Sequence, residues 1–333
     1  MLECPLSMYL KNDRIDSSLR VRTPEPIAPS LSCTVVVCTR DRPRHLETCL
    51  SAIQAQDYPT FDILVVDSGP RQSVDDIAGR FGAGYALEQV GGLSRARNVG
   101  ARMSKSDVVA YIDDDAVPET GWLGALMREF SDSAVAAVTG HVHNVWSASA
   151  HDLASIEEAA RHGSSLGRVC LDRHAANWVP MACFGGVGQG NNMALRRSVF
   201  SEWSGFDERI GRGRILDAGE ENIAFMVLIE SGMRVVHTPS AVVRHPFPST
   251  IEGLRANRLR ALTASTAHIT LLLWEYPQHR FAILRYLLGS AMGVKAGRWR
   301  ARGTMKPLSK FEAIRAMLAG PLVYLRSRKQ RPR

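Results

Sequence analysis

No Cys-x-x-Cys pair and no zinc-finger spacing occurs among the six cysteines of this 333-residue chain, which stand at 4, 33, 38, 49, 170 and 183. A disulfide framework is therefore not the organising device, and a reducing compartment is expected. The N-terminus lacks an apolar core, because Glu3, Lys11, Asp13, Arg14 and Asp16 interrupt it, so no secretory signal is expected. Long apolar runs are missing too. The uncharged stretch 261–274 falls short of the roughly 20 residues of a spanning helix and carries Thr263, Ser265, Thr266 and His268. The longer uncharged run 174–195 is broken by glycines and asparagines. No transmembrane segment is expected.

What is present belongs to a folded protein: 45% hydrophobic and 22% charged residues, in a length suited to one large domain with an appendage. The net charge of +8 is unevenly spread. Residues 251–333 carry a balance of +14, whereas residues 1–250 carry −6. Such a basic end suits an anionic membrane surface, a phosphorylated lipid or a nucleic acid.

Three parts are expected: an extension and linker over 1–30, ending in the proline-rich TPEPIAPS; an α/β body over 31–248; and a helical, basic, amphipathic region over 249–333. CTVVVCT at 33–39 reads as a buried strand, Leu46, Cys49, Leu50 and Ile53 recur at helical spacing after Pro43, and 61–66 is a second strand. That βαβ unit makes its strands parallel and brings Asp67 to the edge that holds Thr39 and Arg40, where an acidic residue can bond a ribose or a base, or merely cap the next helix. Gly91-Gly92 then leads into a helix on which Arg95 and Asn98 lie off the packed face. Such a helix start suits a phosphate, although exposed arginines are often just solvated. Further strands are expected at 134–139, 234–237 and 241–245, with His245 leaving the last. His141 and His143 share one strand face in a weakly patterned insertion over 141–183. Asn192, at the mouth of a glycine loop, could bond a polar ligand. Glu220-Glu221 open an apolar helix, where negative charge is tolerated.

The stretch VVAYIDDDAVP at 108–118 organises the rest. Its β-branched and aromatic residues make a buried strand that stops in three aspartates, at the sheet edge where ligands bind in open α/β folds. Side chains alternate along a strand, so Asp113 and Asp115 project to one face. Two such carboxylates can share a hard divalent cation, Mg²⁺ or Mn²⁺, or else cap the helix that follows.

TVVVCTRDRP with LVVDSGP, GLSRARNVGA, the IDDD strand end, GNNMALRR followed by GFDE, GEEN and AVVRH occur in an order and spacing that resemble the inverting glycosyltransferases of family 2. The resemblance implies the GT-A fold, a Rossmann-like mixed sheet flanked by helices. It implies a donor of the nucleotide-diphosphate sugar type and an acceptor that is a saccharide, a lipid-linked molecule or another hydroxyl compound. Thr39, Arg40 and Asp67 would line the nucleotide pocket with Arg95 and Asn98 nearby, and Asp113, Asp114 and Asp115 would form the DxD element that binds the diphosphate through the metal. His245 would approach that metal, and of the pair Glu220 and Glu221 the second would be the catalytic base. Ser68 stands where many relatives carry another aspartate, and Glu221 where they commonly carry aspartate. A cytoplasmic location is expected, peripheral on the inner face of the membrane, with the C-terminal helices docked there or simply packed on the catalytic domain. Nucleic acid is not the expected partner. One rival reading, a sugar-nucleotide nucleotidyltransferase, would want a glycine-rich, lysine-containing loop after the first strand, where CTRDRPRH stands. Another, a non-catalytic polyanion-binding protein, leaves the acidic cluster without purpose.

Overall fold

The computed structural model describes residues 31–145, 167–248, 250–291 and 308–328. The expected extension 1–30, His151, His162 and Trp299 lie outside the described residues. Strand β1 (Cys33–Thr39), helix α1 (Pro43–Gln54) and strand β2 (Phe61–Ser68) form the βαβ unit, with Cys33 opposite Phe61 and Thr39 opposite Asp67 in parallel register. Pro43 opens α1, where its missing N–H would have had no partner in any case. Helix α2 (Asp75–Arg80) and strand β3 (Gly84–Glu88) extend the sheet beyond β2. The chain then reverses direction across the sheet. Helix α3 (Leu93–Met103) returns it to the other side of β1, where β4 (Val108–Asp113) pairs in parallel. The carboxyl ends of β1 and β4 are thus the topological switch point, where such sheets leave a crevice.

Beyond β4 come β5 (Val117–Pro118), α4 (Trp122–Glu129), β6 (Val135–Val145), β7 (Val169–Leu171), α5 (Trp178–Cys183), β8 (Asn192–Arg196), α6 (Glu220–Glu230) and β9 (Arg234–Pro246). The nine strands form one mixed sheet in the order β3-β2-β1-β4-β8-β6-β9-β5, with β7 also on β9. The two strands expected over 234–245 are one, β9, which absorbs an irregularity opposite Gly140 and His141. Alternation along the strands divides the core. Val35, Val37, Ala110 and Ile112 pack with Leu46, Leu50 and Trp122 on one face, whereas Val36, Val109 and Tyr111 pack with Ala96 and Phe225 on the other.

Three helices follow the sheet: α7 (Ile251–Glu275), α8 (Arg280–Ala291) and α9 (Lys310–Arg328). The Thr250 hydroxyl caps α7 by accepting from the Gly253 N–H at 3.0 Å. Helix α9 approaches α7 so closely at Gly320 that a Cβ there would stand 2.0 Å from the Thr266 hydroxyl oxygen. Glu275, at the end of α7, accepts from Arg209 at 2.8 Å and from the Tyr324 hydroxyl of α9 at 3.0 Å, which ties both helices to the loop before α6. Among the described residues, no helix is long and apolar enough to cross a membrane.

Candidate active site

The apolar run of β4 ends where its partner β1 ends, and the three aspartates divide by direction. Asp114 turns inward and is buried; its carboxylate accepts from the Thr39 hydroxyl at 2.7 Å and from Arg42 Nη1 at 3.2 Å, so it ties the two strand ends together. Burial pushes its carboxyl up from the usual range, opposed by Thr39 and Arg42. Asp113 and Asp115 face the other way, toward His245. The short strand β5 explains the meeting: Val117 pairs with Arg244 and Pro118 with Val243, so antiparallel pairing carries His245 back to the aspartate turn. A Glu119 to Arg244 ion pair at 3.0 Å fastens that register.

His245 Nε2 lies 3.2 Å from Asp115 and 3.7 Å from Asp113, while Nδ1–H donates to the Pro246 carbonyl at 2.9 Å. One ligand atom from each of Asp113, Asp115 and His245 falls within 4.8 Å of the others. Burial alone would lower the imidazole pKa, but the two carboxylates outweigh it and raise it to about 10. Burial likewise opposes ionisation of Asp115, yet His245 and Arg42 hold its carboxyl at about 2. Two carboxylates and an imidazole oriented by a backbone carbonyl suit a hard or borderline divalent cation.

These groups line a 270 Å³ cleft. Thr39, Arg40 and Ser68 reach it from the ends of β1 and β2, and Arg42 and Arg212 add positive charge from loops. Asp41, between the two arginines, takes a left-handed φ of 55°, and its carboxylate accepts from the Arg71 backbone N–H at 2.8 Å. That tight turn aims both Arg40 and Arg42 into the cleft. Arg42 and Arg212 were not singled out in the sequence. Arg42 had a readable signal, its place in the same TRDRP segment as Thr39 and Arg40; Arg212 lies in a glycine/arginine loop over 211–214 that sequence alone does not place at the cleft.

Several expected ligand contacts are elsewhere. Asn192 is fully buried, donating to the carbonyls of His141 at 2.9 Å and Ala241 at 2.8 Å and accepting from Trp122 Nε1 at 2.8 Å, so both of its N–H donors are taken by the protein. Asn98 donates to the Phe206 carbonyl and accepts from the Phe206 N–H, which holds the GFDE loop. Arg95 pairs with Glu208 at 2.7 Å beside a separate 520 Å³ cavity. Asp67 is fully buried; its Oδ2 accepts from the Val74 N–H and the Tyr85 hydroxyl, its Oδ1 has no partner among the described residues, and its neighbour Ser68 is the residue of that strand end on the cleft. Glu220 is locked to the buried Arg97 at 2.6 Å.

Arg97, only 3% exposed, is the cation that links the two acidic groups. It bonds Glu220 and the Gly190 carbonyl and lies 4.0 Å from Asp113. Glu221 follows at the start of α6, facing a second cavity of 380 Å³. Burial, the Glu220 charge and Asp113 together push its carboxyl up to about 7, with Arg97 opposing. Glu221 is thus a carboxylate that can hold a proton near neutral pH, set beside the aspartate cleft.

The sequence profile described as glycosyl transferase family 2 matches residues 34–202, half of the chain. The chain belongs to glycosyl transferase family 2. This glycosyltransferase is 26% identical over 234 residues to a glucosyl-dolichyl phosphate glucuronosyltransferase of Haloferax volcanii, a match covering 65% of this chain and 69% of the relative. It is 27% identical over 228 residues to a pre-mycofactocin glycosyltransferase of Mycobacterium tuberculosis, covering 66% of this chain and 44% of the relative. An N-acetylglucosaminyltransferase of Rhizobium sp. matches at 27% over 244 residues, covering 68% and 50%. The glycosyltransferase therefore spans half or less of the latter two relatives. Among solved structures, its fold is similar to mannosyltransferase PcManGT from Pyrobaculum calidifontis in complex with GDP-Man and Mn²⁺, with a TM-score of 0.52 at 19% identity, covering 92% of this chain and 86% of that one. TarS of S. aureus gives a TM-score of 0.53 at 13% identity, covering 80% and 44%. The fold is GT-A.

Proposed function

We propose that this glycosyltransferase moves a sugar from a nucleoside-diphosphate donor to an acceptor hydroxyl with inversion. In this reading the diphosphate and a divalent cation, Mg²⁺ or Mn²⁺, occupy the cleft at the ends of β1 and β4, and Glu221 is the base. The observation that carries it is the convergence of Asp113, Asp115 and His245 on one point, beside a glutamate whose carboxyl is raised to about 7. The donor set fits the cation, and the mannosyltransferase of similar fold is recorded with Mn²⁺ and GDP-Man. When bound, the cation offsets the negative charge that grows on the departing diphosphate. Arg40, Arg42 and Arg212 line the same cleft and add fixed positive charge for the phosphates. Glu221 takes the proton from the acceptor hydroxyl as its oxygen bonds to the anomeric carbon. The bond from that carbon to the phosphate oxygen breaks, its electron pair leaves with the nucleoside diphosphate, and attack from the opposite side inverts the configuration. Arg97 neutralises Glu220, so that the neighbouring Glu221 is the carboxylate left for proton transfer.

Asp115→Ala and Glu221→Gln should each lower transfer by about a hundredfold or more, the contribution of a positioned base or charge stabiliser. Calorimetry should find that Glu221→Gln still binds a nucleoside diphosphate with Mn²⁺. Wild-type turnover in Glu221→Gln would remove the base assignment. The basic C-terminal helices support a peripheral site of action on the cytoplasmic face of a membrane, because exposed Phe281, Leu288, Phe311 and Leu318 alternate with exposed arginines.

A further inference from the structure

The 380 Å³ cavity on which Glu221 opens differs in kind from the aspartate cleft. Its walls are carbon: Phe184 from the end of α5, Ala261, Ala264 and Ile269 from α7, and the Tyr286 ring and Leu287 from α8. Phe184 and Tyr286 stack with centroids 5.2 Å apart and planes 9° apart, so the wall is a preformed flat surface. Among the described residues, no arginine or lysine lines it, which sets it apart from the arginine-lined cleft.

Among these carbons lie polar atoms that no described residue partners. His268 Nε2–H donates to the Cys183 carbonyl at 3.0 Å, which leaves Nδ1 as a buried acceptor without a partner among the described residues. Asn222 Oδ1 is likewise buried without a partner. Nδ1 is approachable because residue 219 is glycine; a Cβ there would stand 2.6 Å from it. Buried acceptors without donors are costly and rare, so two of them beside an ionisable carboxylate mark a place for a hydroxylated ligand. The cavity also adjoins apolar surface. Leu287 lines it, while Leu284, one helical turn before, and Leu288, one residue after, are exposed on α8.

We infer that this cavity is the acceptor subsite and that the acceptor is an amphiphile. Its hydroxylated head sits on Glu221, Asn222 Oδ1 and His268 Nδ1, and its linear aliphatic chain lies over the stacked Phe184 and Tyr286 rings, against α7, and leaves along Leu284 and Leu288. The inference rests on Glu221 being the base, since that places the attacking hydroxyl in the cavity. A polar saccharide alone would leave the carbon walls unused, whereas an aliphatic chain covers them.

The test uses the full-length enzyme and n-alkyl β-glucosides from methyl to octyl, each below its micelle concentration, with Kd measured by calorimetry. Affinity should rise about three- to fourfold per added methylene over the part of the chain the cavity encloses. Ala264→Phe, which fills the cavity, should abolish that dependence while nucleoside diphosphate binding with Mn²⁺ stays intact, and that binding also shows that the variant is folded. Ala261→Phe, nearer the rim, is the second variant should Ala264→Phe fail to fold. A wild-type affinity independent of chain length overturns the inference. So does a chain-length dependence that survives filling of the cavity, because the chain would then be held on the exposed helix surface. Loss of nucleoside diphosphate binding in the wild type would instead sink the catalytic reading, and the glucoside series would still report on the cavity.

Discussion

Glu221 sits where its charge is disfavoured, at a cost to the fold. Its carboxyl is raised from 4.5 to about 7 by burial and by Glu220. A folded-state pKa above the unfolded one means that the protonated group favours the fold below pH 4.5, and that this contribution is lost as pH rises through about 7. Glu221→Gln keeps the shape without the charge. Thermal melts should therefore show the variant level with wild type near pH 4 and more stable at pH 8, each 1 kcal/mol of gain appearing as roughly 2–4 °C. A variant less stable at pH 8 would mean that the ionised carboxylate is well solvated. The placements readable from sequence were those that strand alternation or the family resemblance fixes. Alternation along β4 puts Asp113 and Asp115 on one side, and the AVVRH segment, read through its resemblance, put His245 near them. Where a side chain could turn either toward a ligand or toward backbone, sequence gave no way to choose. Asp67, Arg95, Asn98 and Asn192 all turned to protein partners.

At the scale of elements, Asn192 shows what that choice accomplishes. Its amide bonds the His141 carbonyl of β6 and the Ala241 carbonyl of β9, and accepts from Trp122 of α4, so one side chain closes the place where the β6–β9 register shifts. Asn192→Ala would remove these three buried hydrogen bonds. At about 1 kcal/mol or somewhat more for each bond lost, the loss should be about 2–4 kcal/mol. Urea unfolding should record it as a lower midpoint, and the folded variant should still bind a nucleoside diphosphate with Mn²⁺. Abolished binding at full stability would restore Asn192 as a ligand contact. The elements themselves were largely legible because their cores follow simple periods: the buried face of α1 is the set read from helical spacing, and β1, β2 and β4 are the apolar runs. The split of β9 into two strands was a misreading of its irregular middle, where Pro239 and Ser240 interrupt the apolar pattern that pairing with β6 nevertheless carries through. The pairing of β5 with β9 was not legible, since two residues have no period.

At the scale of the whole molecule, the charge separation read from sequence coincides with a separation of elements. The sheet-bearing body holds the acidic cluster and Glu221, whereas the helices after β9 carry arginines and exposed apolar side chains, Phe281 at 77% and Phe311 at 74% exposure. Two forces would then act on any membrane contact, and they separate experimentally. Attraction of anionic lipid is worth about 1 kcal/mol per basic residue near the surface and falls off within a screening length, whereas insertion of phenylalanine and leucine is indifferent to salt. In flotation, the enzyme should rise with phosphatidylglycerol vesicles and not with phosphatidylcholine vesicles at low salt. About 1 M salt, where the screening length is about 3 Å, should release it. Phe311→Ala with Leu318→Ala should weaken binding at every salt concentration, because these changes remove buried area and leave the charges in place. Flotation that ignores lipid charge would make the contact purely apolar, and no flotation on either vesicle would leave the basic helices facing water. The proposed acceptor subsite adds a geometric condition, since an amphiphile embedded in the bilayer would reach Glu221 by way of α8 only if that helix lay at the membrane surface.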